Sequence, residues 1–181
     1  MSGYLGKTVD FIIMRLADIT MAFPSLLLAM VVMYTLGNGI INIFLALTIV
    51  SWAGTARVVR SQTLSLREKE YVEAARSMGV GSFTTMFRHI LPNCLPSLIV
   101  LFTLNIPGSI LSESSLSFLG VGLRTPEASW GNMAQCAMEL VNLTTRPWAW
   151  IPPGLCIVAT ALALLLVGEG LRKALHPRQQ G

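Results

Sequence analysis

The sequence predicts an all-α, polytopic helical membrane protein of about four transmembrane helices, a single membrane domain over residues 1–181, and three observations carry the prediction. Only 12% of the 181 residues are charged, 53% are hydrophobic and the mean hydropathy is +0.63, where a soluble domain carries roughly 25% charge. The missing charge is unevenly spread: long stretches have almost none, while Arg57, Arg60, Arg67, Lys69, Arg76 and Arg88 crowd into residues 57–93. Four spans of about 20 residues would use under half the chain, which suits one small helical bundle. A soluble enzyme and a disordered tail are both disfavoured.

The first span is expected over residues 19–36, with Pro24 near its start, where a missing backbone donor costs little, and Gly37-Asn38-Gly39 closing it. The second covers 40–56, interrupted only by Asn42, Thr48 and Ser51, and the short connection demands a tight hairpin. The third covers 94–111 and contains Pro96, Asn105, Pro107 and Gly108. Residues 113–123 are apolar but too few to cross, so a re-entrant or interfacial helix is expected there. Residues 124–147 read as a polar loop with a mildly amphipathic 133–141, and the fourth span covers 148–168, opening on two tryptophans suited to a headgroup layer.

Orientation follows the positive-inside bias: the 57–93 block and the tail with Arg172, Lys173 and Arg178 are basic, and the 37–39 turn is not. Both termini and the 57–93 block are therefore expected in the cytoplasm, and the 124–147 loop outside. The net charge of +4 flanks apolar segments and gives no reason to expect nucleic acid as a partner. Cys94, Cys136 and Cys156 have no paired spacing, so neither a metal site nor a disulfide framework is indicated. Lys7, Asp10 and Arg15 interrupt any early apolar run, so no cleavable signal is expected. Asn142-Leu-Thr144 matches a glycosylation pattern too short to weigh.

The 57–93 block is the most informative. Ser65-Leu-Arg-Glu68 reads as a capping box that starts a helix, which runs to about Met78 and stops at Gly79-Val-Gly81. Tyr71, Ala74, Ala75 and Met78 share one face of it, and Lys69, Glu70, Glu73, Arg76 and Ser77 the other. Ser82 is expected to cap a second helix striped with Phe83, Phe87, Ile90 and Leu91 until Pro92 ends it. One reading is a helix pair lying on the membrane surface. The other is a docking element, because adjacent alanines admit a close neighbour where a lipid-facing surface favours Leu, Phe or Trp.

Glu73-Ala74-Ala75-x-x-x-Gly79 followed by Ile90-Leu91-Pro92 resembles the EAA-Gly-Ile-Leu-Pro signature of ABC-transporter permease subunits of binding-protein-dependent importers. Ser115-Leu-Ser-Phe-Leu-Gly-x-Gly122, Ser129-Trp-Gly131 and Gly168-Glu-Gly-Leu-Arg172…Pro177-Arg178 are similar to the C-type permease of the peptide/nickel branch. Met14-Arg15-x-x-Asp18 and Ala56-Arg57-x-x-Arg60 agree. The resemblance spans essentially the whole chain. Departures are His89 where the signature has Ile, and Glu169, Lys173 and His176 where the branch often has Asp. Family members usually have six spans, and Gly3-Tyr-Leu-Gly6-x-x-Val-Asp10 looks like the segment after the second. Two spans and a preceding external segment are thus expected to be absent, in a truncated product or a short permease.

The resemblance implies the type I importer fold in part, in a bacterial or archaeal cytoplasmic membrane, and a division of labour. The chain has no G-x-x-x-x-G-K-[ST] loop, so separate ATPase subunits would use ATP and Mg, and this chain would be no enzyme and bind no cofactor. Its partners would be those ATPases, a second permease subunit, an extracytoplasmic substrate-binding protein and membrane lipid. Tyr71, Glu73, Ala74, Ala75, Met78, Gly79, Ile90, Leu91 and Pro92 would form the ATPase-coupling segment. Asn42, Asn105, Ser109 and Glu113 are the pathway candidates, with Glu113 either functional at membrane depth or hydrated at the interface. Trp130 is a candidate contact for the binding protein, and the solute would be a peptide, nickel or a similar small polar species. Three rival readings stand beside this. An intramembrane hydrolase lacks a nucleophile–base pair in the spans, and a channel or secondary transporter lacks charge or a filter repeat there. A truncated, non-transporting fragment is the third.

Overall fold

The structure, a computed structural model, describes residues 7–124 and 126–175, and every regular element among them is helical. In chain order these are α1 (Lys7–Met21), α2 (Ser25–Leu36), α3 (Ile40–Arg67), α4 (Glu70–Ser77), α5 (Ser82–Thr85), a π-helical turn (Met86–Ile90), α6 (Leu91–Phe118), α7 (Trp130–Ala134), a 3₁₀ turn (Gln135–Met138), α8 (Leu140–Thr145) and α9 (Pro147–Leu175). Gly3–Gly6 and the tail residues His176, Pro177 and Arg178, read above from the sequence, lie outside the described residues.

Three rods are long and apolar enough to cross a membrane, Ile40–Arg67, Ser82–Phe118 and Pro147–Leu175, with a fourth crossing if α1 and α2 count as one broken span. At ~1.5 Å per residue, α3 reaches about 42 Å and exceeds a hydrocarbon core of about 30 Å. Its last turns, carrying Arg57, Arg60 and Arg67, therefore extend past the apolar layer. The outer faces of the rods are apolar and unpacked, as Leu155, Leu162 and Leu166 on α9 show. Lipid covers such a surface in a membrane protein.

Several sequence boundaries move. The expected first span, 19–36, is not one helix: α1 and α2 meet at a 91° bend across the break before Ser25. Pro24 lacks an N–H and its ring crowds the preceding turn, while Phe23 before it is pushed out of the helical region. The capping box at Ser65 does not form, because α3 carries no Gly or Pro after Gly54 and propagates through Ser65 to Arg67. Ser82 makes no capping bond, Gly81 standing at that N-cap instead. Pro92 ends nothing, since a continuous helix runs from Ser82 to Phe118. The wider π-helical turn at Met86–Ile90 makes room for the proline ring, and the Asn93 side-chain amide donates to His89 O at 2.6 Å. Residues 113–118 are the last turns of α6, not a re-entrant helix.

Packing concentrates along α6. α9 lies beside it, and a Cβ at Gly168 would come within 2.7 Å of Leu104 Cδ2, so glycine lets the two helices approach. α1 is held against α3 by ions: Arg60 Nε and Nη2 each donate to Asp10 at 2.6 Å, and Arg57 Nη2 donates to Asp18 at 2.6 Å. Asp18 is thus an interhelical partner.

Candidate coupling elbow and translocation groove

The elbow is α4 and its exits. The Lys69 carbonyl starts α4, accepting from Val72 N at 2.9 Å and Glu73 N at 3.2 Å, and Glu70 and Glu73 occupy its first turn. Carboxylates there complement the positive end of the helix dipole. At the other end Gly79 has φ +79°, and Val80 N donates to Ala75 O at 3.1 Å, the six-to-one bond of a Schellman stop. A Cβ on Gly79 would meet nothing within 4 Å; the glycine is there for its backbone angle alone.

The faces of α4 are rotated from the sequence reading. Val72 is fully buried and Ala75 only 2% exposed, while Tyr71 is 41% and Met78 77% exposed, with Ala74 and Glu73 open as well. Ala75 therefore faces this chain's own interior and cannot belong to an outward docking face with Tyr71, Ala74 and Met78. Val72 joins Met86, Ile90, Cys94 and Leu98 in one core cluster. Ile90 braces α4 against the root of α6, Leu91 is half-buried and Pro92 exposed. Phe83 and Phe87, expected beside Ile90, point outward instead, because the π-helical turn puts Met86 inside. Partial burial pushes the Tyr71 phenol above its ordinary range.

The groove lies between α3 and α6. A cavity of about 660 Å³ is lined by Ser51, Thr55, Asn105, Ser109 and Ser112 among apolar neighbours. A second, of about 580 Å³, lies beyond it and is lined by Phe44, Ser109, Glu113, Trp130 and Met133. Ser109, Ile106 and Leu47 belong to both, so Asn105, Ser109 and Glu113, four residues apart, make one polar stripe along α6. Glu113 accepts from Ser117 Oγ at 2.7 Å and Ser114 Oγ at 3.3 Å, and Ser117 Oγ in turn accepts from Leu123 N at 3.1 Å. Asn42 does not join the groove: its amide donates to Leu36 O at 2.8 Å and Gly37 O at 3.1 Å, satisfying carbonyls at the end of α2. Trp130 walls the second cavity at the first position of α7, 37% exposed.

The turn after α6 is tight. Gly120 has φ +78°, with Gly120 N on Ser117 O and Val121 N on Leu116 O, both 3.0 Å, a complete Schellman stop. A Cβ on Gly122 would lie 2.6 Å from Ser117 N, and one on Gly131 2.3 Å from Ser114 O. Ser129 Oγ caps α7 by accepting from Asn132 N at 3.1 Å. Among the described residues no three His, Cys, Asp or Glu side chains stand together to hold a metal ion.

The whole chain, residues 1–181, matches the family described as the binding-protein-dependent transport system inner membrane component. The chain belongs to this family. It is 42% identical over 177 residues to the oligopeptide transport system permease protein OppC of Bacillus subtilis, covering 98% of this chain and 57% of that protein. It is 43% identical over 178 residues to the glutathione transport system permease protein GsiD of Pectobacterium atrosepticum, covering 98% and 58%. A putative peptide permease protein of Brucella ovis is 40% identical over 175 residues, covering 97% and 58%. The chain thus spans somewhat over half the length of these curated relatives.

As a member of this inner-membrane family, the chain is a membrane protein, and the motifs that suggested the family acquire physical reasons. Gly79 and Gly120 supply positive φ, Gly122, Gly131 and Gly168 supply close approach, and Asp18 and Arg57 pair across α1 and α3. Sequence reasoning missed Val72, whose apolar neighbours in the core cluster lie mostly on α6 and its root. It also missed Ser51, Thr55 and Ser112 in the groove. Small hydroxyls three or four residues apart on otherwise apolar helices were the available signal.

Proposed function

We propose that this chain is the permease subunit of an ATP-driven importer that forms one wall of a pathway for a peptide solute. The observation that carries the reading is one uninterrupted helix, Ser82–Phe118. Its root is packed into the elbow through Met86 and Ile90, and its far half carries the Asn105–Ser109–Glu113 stripe. Displacement of α4 would therefore be carried along this helix toward the groove. Partner ATPase subunits, using ATP and Mg, would grip the exposed face of Tyr71, Ala74 and Met78. Glu73 beside it suits a basic side chain, and Gly79, Ile90, Leu91 and Pro92 would hold the angle. A second permease subunit would close the groove, and an external binding protein would deliver solute over the 124–147 loop, with Trp130 near its point of entry. The relatives named for oligopeptides and glutathione favour a peptide over nickel.

The orientation proposed is both termini and α4 in the cytoplasm, with α7 and α8 outside. In vesicles holding the complete complex, with binding protein on the outside, ATP-dependent peptide uptake is expected, and alkylating a Ser109→Cys variant should stop it. ATP-driven efflux without uptake overturns the direction. A cysteine at Asn132 labelled only after cells are opened overturns the orientation.

A further inference from the structure

We propose that Glu113 forms, with the apolar cavity beside it, a subsite for organic cations, in the first place the protonated amine of a solute carrying an apolar or aromatic group; this rests on the groove being the pathway. Glu113 lies where the polar stripe of α6 enters the cavity of about 580 Å³, a volume in the usual range of small-molecule sites. The walls are Ile43, Phe44, Leu47, Leu123 and Trp130, which bury hydrocarbon and offer aromatic faces to a positive charge.

The carboxylate itself is arranged for a ligand. Ser117 Oγ occupies one oxygen at 2.7 Å and Ser114 Oγ approaches the other at 3.3 Å. Those two hydroxyls leave about half of the acceptor positions of a carboxylate open. Among the described residues Glu113 has no ion-pair partner, whereas Asp10, Asp18 and Glu169 each have an arginine. A half-buried anion beside an apolar cavity, oriented by two hydroxyls and left without a cation, recognises a cation with an apolar body. A neutral solute gains at most a hydrogen bond from it, without the charge attraction, and an anionic one is repelled. The polar groups further along, Ser109 and Asn105, then receive the solute as it moves between the two cavities.

The test is equilibrium binding of radiolabelled 2-phenylethylammonium and of the uncharged 2-phenylethanol to the complete complex in nanodiscs. Wild type should bind the cation about 10- to 100-fold more tightly than the alcohol, the range of a hydrogen bond to a charged group. Glu113→Gln should erase that preference and leave the melting temperature unchanged, because the amide oxygen still accepts from Ser117. Ser117→Ala removes one orienting donor but not the charge, and should keep most of the preference. The proposal is overturned if wild type binds both probes alike. It falls equally if Glu113→Gln binds the cation as wild type does, or if Ser117→Ala loses the preference as fully as Glu113→Gln, which would make Glu113 a brace for the turn. Charge-dependent binding together with peptide uptake that survives alkylation of Ser109→Cys would support the subsite and sink the pathway reading instead.

Discussion

At the far end of α6, Gly122 and Gly131 leave no room for a methyl group, whereas at the elbow Gly79 and Gly81 have nothing within 4 Å of where one would stand. The far end is a closed joint, in which α7 rests on the Ser114 backbone and the chain folds back over Ser117. The elbow is a free turn, fixed by one backbone angle and by Val72 and Ile90 behind it. A part that must keep a cavity's shape is built by close contact. The elbow, proposed above as the surface for the ATPase subunits, is built by conformation and leaves the space around its glycines empty.

The largest effect is expected at the closed joint. Gly131→Ala or Gly122→Ala pushes Cβ into backbone atoms that cannot move aside, costing about 3 kcal/mol, the upper end for over-packing. Thermal denaturation of the purified complex should show it, and melting within a degree of wild type would mean that the joint is loose. Next comes a paired comparison on α4. Ala75→Trp forces a large ring into the core and should cost about 2 kcal/mol, while Ala74→Trp should change stability by less than about 0.5 kcal/mol. Equal losses would mean that the two faces are assigned wrongly.

Smaller still is Gly79→Ala, which meets no atom and pays only for positive φ, about 1 kcal/mol. Gly79→Val adds β-branching to the same strain and should uncouple ATP hydrolysis from uptake while membrane insertion persists. The least effect on the chain alone belongs to Met78→Asp, at 77% exposure. Its stability should be that of wild type, yet pull-down of the ATPase subunits should be lost. Retained pull-down would remove Met78 from the docking face.

Much of this was legible beforehand, for definable reasons. The apolar stretches followed from composition, because a hydrocarbon layer admits little else. The Gly79 stop followed from a glycine closing an amphipathic run, and φ +79° matches it. Pro24 and Pro92 show where such reasoning fails. Both read as local punctuation near a helix end, yet Pro24 bends a span by 91° while the helix passes through Pro92. A proline states that one hydrogen bond is missing. Whether the helix breaks, bends or widens depends on what neighbouring segments offer its freed groups.

The 3.6-residue period placed Ala75 on the same face as Tyr71 and Met78, but a wide apolar arc does not say which edge turns inward. That was settled by Val72 meeting Met86, Ile90, Cys94 and Leu98. Composition, charge order and turn chemistry suffice for the membrane class, the helical rods and the elbow, because those depend on solvent and on near neighbours along the chain. The groove, the Glu113 cavity and the closed joint rest on meetings between distant residues, Gly131 with Ser114, Gly168 with Leu104, and Asp10 with Arg60. Only the packed chain brings those together, since a contact between remote residues leaves no periodic trace in either segment.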